Sequence, residues 1–188
     1  MDPTLIDRAR AGDARAFEEL ATSHERALFR HVARLLGPDD AEDAVQDAFL
    51  SAWRSMRSFE GTSFRAWLFR IATNRALDVI RARKRRGELP LEPAEDEERT
   101  WAEPPSPGPS LDQLVAGAEA RALVEAVLRT IPAEQRAALL LGDVEGFDYE
   151  EIAGITAAEL GTVKSRIHRA RLAVRNALVA QGWKSAAG

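Results

Sequence analysis

The chain has 188 residues, 45% of them apolar, with 26 Lys and Arg against 30 Asp and Glu for a net charge of −4. That fits one or two small domains with ordinary cores, and the acid excess taken alone argues against a nucleic-acid partner. With no cysteine, disulfides, thiolate zinc sites and cysteine nucleophiles are excluded.

The remaining site chemistry is equally sparse. His24, His31 and His168 are too scattered for a histidine metal site. Neither a glycine-rich phosphate loop nor a Gly-x-Ser-x-Gly elbow occurs, so no metal, no cofactor and no enzymatic activity is expected. The opening Met1-Asp2-Pro3-Thr4 lacks the basic and apolar regions of a signal peptide, and no apolar run approaches the ~18 residues that cross a bilayer. A soluble cytoplasmic protein without membrane insertion is expected.

Few β-branched alternating runs occur, and the apolar spacing is helical, so an all-α fold is expected. Phe17, Leu20, Ala27, Leu28, Ala33 and Leu35 mark one helix, stopped by Gly37-Pro38. Asp39 or Asp40 starts a second, where the helix dipole favours acids. Its apolar side is Ala41, Val45, Ala48, Phe49, Ala52, Trp53 and Met56, and its polar side carries Glu42, Asp43, Gln46 and Asp47. Gly61-Thr62-Ser63 starts a third, with Phe64, Trp67, Leu68, Ile71, Leu77 and Ile80 on its inner side. The spacing of Phe64 and Trp67 with Ile71 assigns these aromatics to the core rather than to base stacking. This helix runs into Arg81-Ala82-Arg83-Lys84-Arg85-Arg86, five bases in six residues. The dipole favours cations at a helix end, but five of them repel unless an anion such as phosphate is near.

Six of the nine prolines lie between Pro90 and Pro109, mixed with an acidic run, as in an unpacked linker. The chain therefore divides into 1–86, a linker at 87–110, and a second domain at 111–182. That domain holds helices at 111–130, ended by Ile131-Pro132, and at 133–141, followed by two helices joined by a tight turn. Asp148 stands three residues before Glu151, the spacing of a capping box, and Ile152 and Ala153 give the first of these helices its apolar side. In the second, Val163, Ile167, Ala170 and Val174 face inward, while Lys164, Ser165, His168, Arg169 and Arg171 fall largely on the other side. Residues 163–175 hold five bases and no acid. A basic helix alone is more often a solvated face. A short helix before it at turn spacing makes a helix-turn-helix that fits a DNA major groove. Charge segregation thus outweighs the net total, because the field of a patch decays over about 10 Å at ordinary salt.

Four stretches together resemble a known family. Asp40-Ala-Glu-Asp-Ala-Val-Gln-Asp-Ala-Phe-Leu-Ser-Ala-Trp-Arg54 resembles the polymerase-docking segment of bacterial sigma factors. Phe64-Arg-Ala-Trp-Leu-Phe-Arg-Ile-Ala-Thr-Asn-Arg-Ala-Leu-Asp78 resembles their promoter-melting segment. Ile131-Pro-Ala-Glu-Gln-Arg136 and residues 149–171 resemble their C-terminal domain. The likeness covers about 160 of the 188 residues, and two domains with a short linker match the extracytoplasmic-function (ECF) group.

The resemblance implies core RNA polymerase (its β′ clamp helices and β flap), promoter DNA and an anti-sigma protein as partners. Glu42, Asp43, Gln46, Asp47 and Arg54 would grip the clamp helices. Asn74 would lie by the pocket for a flipped −10 base, flanked by Arg75 and Asp78, with Arg81, Arg83, Lys84, Arg85 and Arg86 on the backbone. Lys164, Ser165, Arg166, His168, Arg169 and Arg171 would form the −35 reading helix, its bases divided between guanine edges and phosphates. The sequence departs from the family pattern at Ala157, a frequent glycine in the inter-helix turn, and at Gly142, where a longer residue is common. Thr156 to Glu159 has the spacing of a second capping box, which predicts an early start for the reading helix. In polyproline form the 24 linker residues span ~74 Å, enough for promoter elements roughly 58 Å apart. The linker acids either mimic nucleic acid in a basic polymerase channel or serve as a solubilising spacer. The competing function is a stand-alone helix-turn-helix regulator that binds an operator as a dimer.

Overall fold

The computed structural model describes residues 3–89 and 118–181, which are helical with no strand. The chain splits into two compact units, Met1–Val79 and Ile80–Gly188. Residues 90–117, which hold most of the expected linker and the start of the expected helix at 111–130, lie outside the described residues, as does residue 182.

The first unit begins with α1 (Pro3–Arg10), a helix that the apolar pattern does not mark. Gly12, at φ 98°, turns the chain, and Asp13 caps α2 (Ala14–Leu36) by accepting from the backbone N–H groups of Arg15 and Ala16 at 3.0 and 3.2 Å. The same carboxylate holds Arg8 at 2.6 Å, and this bond, followed by the backbone bonds, lowers its pKa. At its other end α2 stops at Gly37, φ 94°, whose N–H reaches Ala33 O at 2.8 Å. Pro38 then opens α3 (Pro38–Ser55), followed by a 3₁₀ turn at Met56–Ser58.

Spacing dictates the packing. α2 buries Phe17, Leu20, His24, Leu28, His31, Val32 and Leu35, and α3 packs against it with the small row Ala41, Ala44, Val45, Ala48 and Ala52. α4 (Phe64–Arg85) begins inside an aromatic cluster. Phe59 lies 4.9 Å from Trp67 and 6.2 Å from Phe64, and Phe17 lies 5.1 Å from Trp53. A Cβ on Gly61 would come within 2.9 Å of the Phe59 ring, so a side chain there would push the cluster apart. Phe64 is thus a core residue and Trp67 a half-buried part of the same cluster.

In the second unit, α5 (Ala118–Leu128) is followed by α6 (Ala133–Leu139). Buried Arg136 donates from Nη1 to the carbonyl of Leu128 at 3.0 Å, closing the end of α5. The helix expected at 133–141 instead changes to π geometry over Leu140–Val144, where Glu145 N–H reaches back five residues to Leu140 O at 3.0 Å. A Cβ on Gly142 would lie 3.3 Å from Ile152 Cδ1, so the glycine lets this wider turn pack closely. α7 (Tyr149–Thr156) and α8 (Leu160–Ala180) complete the core with Ile152, Ile155, Val163, Ile167, Ala170, Val174 and Leu178. Among the described residues no helix is long and apolar enough to cross a membrane.

One buried polar contact ties α2 to α4. His31 Nε2 lies 3.0 Å from Thr73 Oγ1, and Nδ1 has no hydrogen-bond partner. Burial, with a smaller push from Arg34, lowers the imidazole pKa to about 3. Unfolded, the ring titrates near 6.5, so between these values the unfolded chain binds the extra proton. Stability from this neutral ring is full above pH ~6.5 and falls as the pH drops, by up to ~1.4 kcal/mol per unit. His31→Leu is expected to remove that increment from the acid limb. Urea denaturation of both chains between neutral and mildly acidic pH checks it, parallel losses counting against the assignment.

Candidate nucleic-acid interface

On α3, the buried alanine row leaves Glu42, Asp43, Gln46 and Asp47 exposed together, with Arg54 exposed two turns further on. Leu50, 48% exposed, and Trp53, 36% exposed, continue this surface. Trp53 was expected on the inner side; its ring edge does reach Phe17, but over a third of it faces solvent. Leu50 carries no polar signal in the sequence, and its place beside the acids becomes visible only once the buried row is known.

Along α4, Asn74 is half-buried, and Arg75, Asp78, Arg81, Arg85 and Arg86 are exposed, with Arg83 and Lys84 between. Arg70, one turn before Asn74, is exposed as well, a base that the run-based reading passes over because no other base adjoins it. The basic end carries its own counter-charge. Glu88 accepts from Arg86 Nε and Nη2 and lies 4.0 Å from Arg83 Nε. The Arg86 bond lowers the Glu88 pKa, and Glu88 raises that of Arg86. A second pair joins the two expected surfaces of this unit: Arg75 Nη2 and Nε donate to Asp47 Oδ2 at 2.7 and 3.2 Å.

The helix-turn-helix starts as expected. Asp148 Oδ1 accepts from Glu151 N–H at 2.7 Å, and Glu151 Oε2 accepts from Asp148 N–H at 3.0 Å. The second capping box does not form. α7 extends through Thr156, whose hydroxyl donates to Ile152 O at 2.8 Å, and α8 starts at Leu160 rather than early. The reason lies at Ala157, the one non-glycine residue with positive φ among those described (φ 51°, ψ 41°), which ends α7 in a left-handed step.

On α8, Lys164, Ser165, Arg166, His168 and Arg169 are half-buried around the rim of the buried row. Arg169 Nη2 donates to Ser165 Oγ at 2.7 Å, so one turn pre-orients the guanidinium. Arg171 differs. Its fork engages both oxygens of Asp143 on the π turn, with Nε to Oδ2 at 3.1 Å, and the side chains are 16% and 1% exposed. Burial alone would lower the Arg171 pKa, but the bond and charge of Asp143, joined by Tyr149, hold it above the ordinary value. Arg171 was expected among the reading residues; its guanidinium is committed to holding α8 against the π turn.

Two outcomes follow from this geometry. Asp143→Asn leaves the enclosed Arg171 charge without its counter-ion and is expected to cost the second unit about 3 kcal/mol, the low end for a buried pair because Arg171 keeps some solvent contact. A urea midpoint unchanged from the wild type would show the pair to be dispensable. Ala157→Gly removes a left-handed penalty of about 1–2 kcal/mol and adds about 0.5–1 kcal/mol of unfolded-chain entropy, so a net gain of up to ~1.5 kcal/mol is expected in the same assay.

Two family descriptions match the chain: Sigma-70 region 2 at residues 20–86 and Sigma-70 region 4 at residues 121–174. The ECF RNA polymerase sigma-E factor of Escherichia coli is 36% identical over 182 residues, covering 93% of each chain. The ECF RNA polymerase sigma factor SigE of Mycolicibacterium smegmatis is 38% identical over 91% of this chain, which spans 65% of that relative's length. Among solved structures, CnrH in complex with the cytosolic domain of CnrY aligns at TM-score 0.67 and 28% identity, covering 94% of this chain and 96% of the other. The sigma factor RpoE from Bartonella quintana, in complex with the anti-sigma factor NepR, aligns at TM-score 0.65 and 31% identity, covering 87% and 96%. The region 2 match spans the acidic face of α3 and the basic end of α4, which a stand-alone helix-turn-helix regulator would not need. The chain belongs to the ECF group of the sigma-70 family of RNA polymerase sigma factors.

Proposed function

We propose that the chain docks on core RNA polymerase through α3 and carries it to promoters, with Glu42, Asp43, Gln46, Asp47 and Arg54 engaging the β′ clamp helices. Asn74, Arg75 and Asp78 serve the melted −10 element, and the bases at the end of α4 neutralise its backbone. Lys164, Ser165, Arg166, His168 and Arg169 serve the −35 element, with Arg171 as the residue that positions their helix. The functional domains are 1–86 and 111–182, bridged by 87–110. The protein works in the cytoplasm, has no catalytic chemistry of its own, and is held by an anti-sigma protein until a signal releases it. The solved complexes of CnrH with CnrY and of RpoE with NepR support that control.

The observation that carries this reading is charge segregation imposed by packing: an exposed acidic face on α3 and basic surfaces on α4 and α8, within a chain of net charge −4. A solvated helix face tolerates charge reversal, whereas a docking contact loses several kcal/mol. Glu42→Lys with Asp43→Lys is therefore expected to weaken binding to core polymerase about a hundredfold while circular dichroism stays unchanged, since both side chains are exposed. Unchanged affinity at matched salt would overturn the docking role.

A further inference from the structure

We infer that Asp47 is a shared carboxylate: in the free chain it occupies Arg75, and docking on polymerase takes Asp47 over and releases Arg75 to the DNA strand. The inference rests on the proposed roles of the two faces and adds a coupling between them. Asp47 is on α3 and Arg75 on α4, 28 residues apart in sequence, and the pair is the point where the two faces meet. Two of the three Arg75 nitrogens, Nη2 and Nε, donate to one oxygen, Oδ2, at 2.7 and 3.2 Å, leaving Oδ1 for an incoming donor. Each side chain is 49% exposed, so neither partner needs a conformational change to be reached.

The electrostatics give the direction. A phosphate approaching Arg75 meets a guanidinium largely cancelled by a carboxylate well inside the ~10 Å screening length. A polymerase cation on Asp47 removes that cancellation. The weakness of the pair suits it to exchange: exposed ion pairs hold loosely, unlike the enclosed Asp143–Arg171 fork of the second unit. Because the coupling is thermodynamic, DNA on Arg75 must favour polymerase on Asp47 by the same factor.

The two assignments predict effects of opposite sign at the two partners, which a simple strut between α3 and α4 does not. The probes are core polymerase and a labelled single-stranded DNA oligonucleotide of mixed sequence, used with the full chain. Asp47→Asn is expected to lose affinity for polymerase, yet to bind the oligonucleotide about two- to five-fold more tightly without polymerase, the range an exposed ion pair can contribute. Its salt dependence should steepen by about 0.7, the increment for one phosphate contact on a single strand. Arg75→Gln is expected to bind polymerase about two- to five-fold more tightly while losing oligonucleotide affinity. Thermal melting of each variant establishes that the fold is intact. Oligonucleotide binding by Asp47→Asn that is unchanged, weaker or undetectable overturns the handover, as does polymerase binding by Arg75→Gln that is unchanged or weaker. If the reversal at Glu42 and Asp43 weakens docking while Arg75→Gln does not strengthen it, the docking face stands and the handover alone fails.

Discussion

Each working helix of this chain must bury one stripe of side chains, and everything it can offer a partner is what that stripe leaves over. On α3 the stripe is four alanines and a valine, and the acids come out together on the far side. On α8 it is Val163, Ile167, Ala170, Val174 and Leu178, and the bases line its rim. A chain with more acids than bases can in this way present a concentrated positive surface, because packing sorts the charges by position.

The ion pairs show how one chemistry serves different ends according to burial. Asp143 and Arg171 meet in a two-pronged geometry with little solvent, and their loss leaves a stranded charge. Asp47 with Arg75, and Arg86 with Glu88, sit in water, where Coulomb attraction is weak and salt weakens it further. The first kind fixes a helix; the second kind sets the charge that a visitor meets. Glu88 tempers the basic end of α4 in that sense.

Local signals were the legible ones. Gly37-Pro38 as a stop, Asp148 with Glu151 as a start and the inner rows of α2, α3, α4 and α8 all depend on neighbours within a turn or two. α1 was missed because a short helix with few apolar residues has no period to detect. The second capping box failed because Thr156 and Glu159 have the right spacing on the wrong side of a left-handed residue, and spacing says nothing about φ. The pairing of Arg171 with Asp143 was not legible because the neighbours of Arg171 on α8 are bases and its partner lies 28 residues away on a π turn that no periodicity announces. Leu50 and the Asp47–Arg75 pair were hidden for the same reason: both are properties of how helices meet.

The alanine row of α3 has a consequence for how the proposed docking surface can diverge. Enlarging any of these side chains overpacks the contact with α2, at about 1–3 kcal/mol each, whereas changes on the outer row touch no neighbour in the core. The helix is therefore two surfaces under separate rules, one held by volume and one held only by the partners it meets. A duplicated copy of such a gene could acquire a new inhibitor, or lose an old one, by outer-row substitutions alone, with the inner row carrying the fold unchanged through the whole divergence.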